Sequence, residues 1–321
     1  MKSPSFTTSA RTMMVAATGM CILLTGCSYI AIASAPEKKP VSVRSGEAIA
    51  ADLQFWDVFH GARYDDIPAT LELLTGAYLK NPTDSVTASH VAWLHIWRLS
   101  ERDRLDKVPA TITDDAVLSR KYFQEAVTLN PEDARLLGFL AATTVGEGAI
   151  HKDEKLVRKG YYLLRDSIDA WPEFNLFTAG YTMSRQPVDS PQFREALDWQ
   201  WKNVDLCAGE KISRTQPDYS RYMAMNTTVG PKRVCWNSQI APHNFEGFFL
   251  NMGDMLVKSG DWQTAQKIYS IAKLSPDYGN WKYAPLLDEQ IKNAQSNVTS
   301  FASNKGIMIN TKHSCMACHQ S

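Results

Sequence analysis

The sequence predicts an all-α fold. From residue 49 onward, helical stretches alternate with brief turns, and no convincing run alternates apolar and polar residues as a β-strand would. Within one stretch near the carboxyl terminus, apolar side chains recur at intervals of three or four residues, which places them on one face of a helix. We therefore expect residues 49–303 to form one helical domain.

The clearest pattern is a predicted pair of antiparallel helices that ends at Pro276. The face of the second helix carries Trp262, Ala265, Tyr269 and Ala272. Gly253 and Ala265 are small where the two helices would approach each other, and Gly260 can turn the chain between them. Pro276 stands where the second helix must stop.

This stretch resembles a tetratricopeptide repeat, although it is one residue short before Pro276. Residues 122–131 match the closing half of such a repeat, and weaker matches end at Pro82 and Pro172. The family period is 34 residues, whereas the spacings from Pro82 to Pro131 and from Pro131 to Pro172 are 49 and 41. The resemblance implies a degenerate solenoid of helix pairs with an irregular insertion at 208–242, and a helical surface that binds a protein partner.

Residues 1–26 are typical of an export signal, with positive charge at Lys2 and Arg11 followed by a short apolar run. That run is about a dozen residues, whereas a membrane-spanning helix needs roughly 20. The closing Leu24-Thr25-Gly26-Cys27 resembles the lipobox of bacterial lipoproteins. This resemblance implies cleavage after Gly26, a lipid on Cys27 and a location in the bacterial periplasm. Ser28 favours the outer membrane over the inner one, and residues 27–48 are expected to form a flexible tether.

Two of the six cysteines, Cys207 and Cys235, bracket the predicted insertion. A disulfide between them would close a loop of about 28 residues and stabilise the fold by roughly 3 to 4 kcal/mol. The alternative is a pair of buried free thiols. An exported chain favours the disulfide, because its compartment is oxidising.

The C-terminal tail, residues 304–321, contains Cys315-Met316-Ala317-Cys318-His319, which has the spacing of a c-type haem attachment motif. Cys315 and Cys318 could each form a thioether with one vinyl group of the porphyrin, and His319 could turn under the ring as the proximal iron ligand. These five residues resemble cytochromes c, which implies one covalent haem c. In that family a long later segment wraps the haem, whereas only Gln320 and Ser321 follow here.

The sixth iron ligand stays open at this point, with His243, His313 and Met308 as candidates. Three other uses of the two cysteines also stay open. A plain Cys315–Cys318 disulfide is chemically reasonable. Thiol–disulfide exchange is disfavoured because we expect no helix after the motif to lower a thiol pKa, and zinc would need a fourth ligand. We also expect this tail to contribute little to the helical core.

Other conspicuous residues have structural interpretations. His95 is expected to be a hydrogen-bonded core histidine, and the acidic pairs at 65–66 and 114–115 are expected to favour helix starts. Four tryptophans are expected to pack between helices: Trp93, Trp97, Trp199 and Trp201. The 34 basic and 34 acidic residues give no indication of a nucleic-acid partner.

The sequence thus predicts a lipid-anchored protein with a repeat-like helical body and one haem on its tail, acting in electron transfer with a protein partner. The alternative is a haem-free interaction scaffold in which Cys315 and Cys318 form a structural disulfide. A peroxidase with five-coordinate haem would need an acid-base residue above the iron, and none is identifiable. No phosphate loop, zinc-protease helix or serine nucleophile turn is present in the sequence, so no catalytic residues are predicted.

Overall fold

The computed structural model describes residues 28–303 and 315–321, and within them every regular element is helical. The predicted all-α class is therefore confirmed for this part of the chain. Its helices include none that is long and apolar enough to cross a membrane. The export signal and three predicted site residues (Cys27, Met308 and His313) lie outside the described residues.

The described residues divide into two units, one that ends at Lys39 and one that begins at Pro40. In the first unit, residues 28–33 are helical. The α-helices of the second unit are α1 (Gly46–His60), α2 (Ile67–Lys80), α3 (Ser85–Ser100), α4 (Ile112–Leu129), α5 (Ala134–His151), α6 (Glu154–Ala170), α7 (Pro172–Met183), α8 (Pro191–Ala208), α9 (Asn244–Lys258), α10 (Trp262–Ala272), α11 (Ala284–Ser303) and α12 (Met316–His319). Short 3-10 helices are Tyr64–Asp66, Arg102–Arg104, Ser220–Met225, Pro231–Cys235 and Tyr278–Asn280.

Consecutive helices pack as pairs from α1/α2 to α9/α10, and α11 packs against both members of the last pair. Aspartate side chains cap several helix starts and so satisfy amide groups that have no partner within the helix. Asp84 accepts from the amides of Val86 and Thr87 at α3. Asp261 accepts from the amide of Thr264 at α10. These caps therefore fix where α3 and α10 begin.

The helix pair predicted from Gly253 to Pro276 is present as α9 and α10. Gly260 joins them at φ +91°, a left-handed conformation that favours glycine. A Cβ on Gly253 would lie 2.2 Å from the Tyr269 ring, so the absence of a side chain lets the two helices approach. The Tyr269 hydroxyl donates to Asp254 Oδ1 at 2.6 Å, and burial raises the pKa of that carboxyl well above its usual range.

α2 and α4 end shortly before Pro82 and Pro131, whereas Pro172 begins α7 as its first residue. α1 begins at Gly46, inside the segment expected to be a tether. The region between α8 and α9 has two 3-10 helices and no α-helix, which matches the predicted insertion.

The predicted disulfide joins Cys207, at the end of α8, to Cys235 in the insertion, with the two Cα atoms 5.8 Å apart. Trp236 and Tyr219 of the insertion are both buried in a cluster with residues of α8 to α11. The bridge therefore ties an irregular segment to the carboxyl-terminal part of the core.

Candidate functional site

The Cys315–His319 motif forms a short helix of its own. The amide of His319 donates to the Cys315 carbonyl at 3.2 Å, and the amide of Gln320 donates to the Met316 carbonyl at 3.1 Å. The sequence leads us to expect no helix after the motif, and the structure instead forms one short helix over the motif itself, from Met316 to His319. Residues three and four positions apart share a helical face, so Cys315, Cys318 and His319 are presented together.

Residues 315–321, hereafter the C-terminal segment, lie in a cleft of the helical body. The C-terminal cleft is defined by five residues from separate parts of the chain: His60, Glu101, His243, Gly247 and Trp281. α12 packs against α9 and α1 there. The cleft therefore joins the first helix of the body to one of its last pair.

Two hydrogen bonds hold the amino-terminal half of the C-terminal segment. The amide of Cys315 donates to Glu101 Oε1 at 3.3 Å, where α3 has just ended. The Trp281 indole Nε1 donates to the Ala317 carbonyl at 2.8 Å, and this bond is buried. Both partners are side chains, so each of these contacts depends on residue identity.

Two backbone contacts hold the other half. The amide of His243 donates to the Cys318 carbonyl at 3.0 Å, and the amide of Ser321 donates to the His60 carbonyl at 3.0 Å. His243 is the residue just before α9 and His60 is the last residue of α1. The segment is thus attached at both ends to different parts of the body.

The C-terminal segment also contributes to the core. Met316 and Ala317 have exposures of 0% and 1%. Met316 belongs to an apolar cluster built from α1 to α5, whereas Ala317 belongs to the cluster of α8 to α11. The expectation that the tail contributes little to the core is wrong, because Met316 and Ala317 are buried in two different apolar clusters.

The Cys318 sulfur is enclosed against α9. A Cβ added to Gly247 would lie 2.3 Å from Cys318 Sγ and 3.0 Å from the Ala317 carbonyl oxygen. Burial raises the pKa of the Cys318 thiol to about 12, and the charges of Cys315 and Glu246 act in the same direction. Cys318 is therefore a protonated, unreactive thiol in this arrangement.

Glu246 is a fully buried carboxylate beside this thiol. Its Oε1 accepts from Asn237 Nδ2 at 3.2 Å and lies 3.3 Å from His243 Nδ1. Among the described residues its Oε2 has no hydrogen-bond partner. This oxygen is an acceptor without a donor at the floor of the cleft.

The Cys315 thiol lies at the more open side of the cleft. It is partly exposed, and its Sγ is 3.3 Å from the Ser100 hydroxyl oxygen. Glu101, which accepts from the Cys315 amide, is fully buried, and burial raises the pKa of its carboxyl while Arg104 at 3.1 Å opposes that shift. Neither Cys315 nor Cys318 forms a disulfide, unlike the cysteines of the insertion.

His319 is oriented by a carbonyl group. Its Nδ1 is 2.9 Å from the Ile240 carbonyl oxygen, and because a carbonyl can only accept, this contact assigns the proton to Nδ1 and makes Nε2 the nitrogen that carries a lone pair. The ring packs against Phe59 and Trp93, with centroid separations of 5.0 and 5.6 Å. Desolvation lowers the pKa of His319 to about 4, although the Ile240 carbonyl acts in the opposite direction.

Cys315, Cys318 and His319 are the residue types that hold a covalent haem, but the docked segment leaves no space for a porphyrin beside both sulfurs. A histidine that ligates a metal usually donates its other nitrogen to a carbonyl, as His319 does. A porphyrin bonded to both sulfurs would have to occupy the space where Cys318 meets Gly247 and Cys315 meets Ser100. The C-terminal segment therefore cannot hold a haem while it lies in the cleft.

Other metal chemistry finds no support at this site. Within residues 28–303 and 315–321, no group of three or more histidine, cysteine, aspartate or glutamate side chains could hold a metal ion. His243, a candidate sixth ligand, is buried with its Nδ1 facing Glu246. It contacts the motif through its backbone amide and not through its ring.

The structural interpretations of other residues are mostly confirmed. His95 Nδ1 lies 2.7 Å from Asp115 Oδ1 and both residues are buried. Asp115 is therefore part of a buried pair, so its interpretation as a helix-start residue alone is incomplete. Three of the four tryptophans are buried between helices (Trp97, Trp199 and Trp201). Trp93 is partly exposed and packs against the His319 ring.

Comparison of the chain with protein-family models, curated proteins and solved structures gave no match. The site must therefore be interpreted from its own residues.

Proposed function

We propose that this protein is a periplasmic lipoprotein that carries one covalent c-type haem on Cys315 and Cys318 and transfers electrons to or from a protein partner. The observation that carries the proposal is the placement of Cys315, Cys318 and His319 on one short helix, with neither cysteine in a disulfide. A bound haem would supply an iron that accepts and releases one electron, with His319 as its proximal ligand.

The remaining parts of the proposal come from the sequence and the helix pairs. The lipobox-like residues 24–27 support attachment to a membrane, more specifically the outer membrane. The α9/α10 pair and the succession of packed pairs support a repeat-like solenoid of the tetratricopeptide type, whose helical surface would receive the protein partner. The protein would serve as an electron carrier and not as a catalyst.

The test is periplasmic expression of the full chain together with haem-attachment machinery. After denaturation, peroxidase-active stain and haem absorbance should remain with the polypeptide. The double variant Cys315→Ser/Cys318→Ser should lose both signals, whereas Cys207→Ser/Cys235→Ser should keep them because those cysteines form a disulfide outside the motif. Colourless wild-type protein would refute the haem proposal.

A second candidate function is a haem-free scaffold that recruits envelope proteins, with Cys315 and Cys318 as a disulfide. The observation that favours it is the docking of the C-terminal segment, whose Met316 and Ala317 are buried in two different core clusters. Intact-mass measurement after alkylation under denaturing conditions separates the two. A scaffold would give a chain two hydrogens lighter per disulfide, with neither Cys315 nor Cys318 alkylated.

A further inference from the structure

We propose that the C-terminal cleft is an intramolecular binding site for the haem-free C-terminal segment, so that docking and haem attachment exclude each other. This inference rests on the proposed function. Each attachment adds one thiol across one vinyl group: the sulfur bonds to one carbon and the thiol hydrogen goes to the other, so no outside oxidant or reductant is consumed. Both sulfurs must be reachable for that addition.

The cleft is shaped for this segment and not for a larger group. Gly247 of α9 faces the segment closely, because a Cβ added there would lie 2.3 Å from the Cys318 sulfur and 3.0 Å from the Ala317 carbonyl oxygen. The Trp281 indole also donates to the Ala317 carbonyl. Space for the motif backbone and its small side chains is therefore present, and space for a ring on Cys318 is absent.

Several contacts hold the docked segment, so docking can compete with haem attachment. The segment donates hydrogen bonds to His60 and Glu101 and accepts hydrogen bonds from His243, Trp281 and Tyr283. Met316 has no exposed surface, and burial of its apolar side chain stabilises the docked position. Haem attachment therefore requires the segment to leave the cleft, and a haem on Cys318 keeps it from returning.

The first experiment measures docking in full-length haem-free protein. Native-state alkylation, resolved by peptide mass spectrometry, should modify Cys318 at least about tenfold more slowly than Cys315 because Cys318 is enclosed. Gly247→Ala should remove most of this difference. The matched control Gly146→Ala should preserve it, because no atom beyond its own helix lies within 4 Å of a Cβ at that position of α5.

A second pair of variants keeps the test independent of any packing defect in α9. Trp281→Phe removes the indole donor to the Ala317 carbonyl and should speed Cys318 alkylation. Trp171→Phe removes another indole donor, whose bond to the Pro231 carbonyl at 3.1 Å involves no residue of the C-terminal segment. It should leave the Cys318 rate unchanged. Equal alkylation of Cys315 and Cys318 in the wild type would overturn the docking site.

The second experiment measures haem attachment under limiting haem-attachment machinery. Gly247→Ala and Trp281→Phe should increase the fraction of chains that carry covalent haem, whereas the two control variants should match the wild type. A haem fraction that is unchanged or reduced in Gly247→Ala would overturn the exclusion, because the cleft would then not oppose attachment. Absence of haem from every variant would refute the proposed function and the exclusion together, while the alkylation pattern would still establish the docked segment.

Discussion

Replacing Met316 with alanine tests whether the C-terminal segment is part of the core. Met316 is fully buried in the cluster of α1 to α5, so its truncation loses apolar burial and leaves a cavity. Such substitutions cost about 2 to 5 kcal/mol. The cost here cannot exceed the free energy of docking, because the segment can leave the cleft while the rest of the chain stays folded.

Urea denaturation followed by circular dichroism measures this cost. Met225→Ala is the matched control, because Met225 is 39% exposed and its truncation should stay within about 0.5 kcal/mol of the wild type. If Met316→Ala were as mild as Met225→Ala, the segment would not be docked. In a Gly247→Ala background the segment is already displaced, so Met316→Ala should then cost little more.

Three further predictions concern the helical body. Cys207→Ser/Cys235→Ser should lower the free energy of unfolding by about 3 to 4 kcal/mol in urea titrations, and a reductant should produce the same loss in the wild type but none in the variant. Tyr269→Phe should cost about 1 to 3 kcal/mol because it removes the donor to the buried Asp254 carboxyl, and a loss below about 0.5 kcal/mol would contradict that role. Burial lowers the pKa of Lys258 from 10.5 to about 8, so between these pH values the unfolded chain binds more protons and stability should rise with pH, by up to about 3 kcal/mol. Lys258→Met should flatten that slope, and an unaltered slope would refute the assignment.

The sequence predicts local features of this fold well. The α9/α10 pair was predictable because Gly260 and Pro276 mark its turn and its end, and because the small residue Gly253 faces the predicted stripe. The Cys207–Cys235 bridge was predictable because the two cysteines bracket the one stretch without helical rhythm. These signals all lie within a few dozen residues of one another.

The docked C-terminal segment was not predictable in the same way. Its helix has four residues, too few for any periodicity, and it is stabilised by contacts with residues as distant as Glu101 and Ser100. Gly247 offered a signal, since a glycine inside an aromatic-rich helix costs about 1 kcal/mol and usually has a packing reason. Nothing in the sequence indicates which segment packs against this glycine.

The most direct test of the proposed function is the mass of the peptide that contains residues 315–319. From protein matured in the periplasm with haem-attachment machinery, protease digestion should yield this peptide with the mass of one haem added, and Cys315→Ser/Cys318→Ser should yield it without that addition. A wild-type peptide with the mass of the two free thiols, or two hydrogens lighter as a disulfide, would contradict the account.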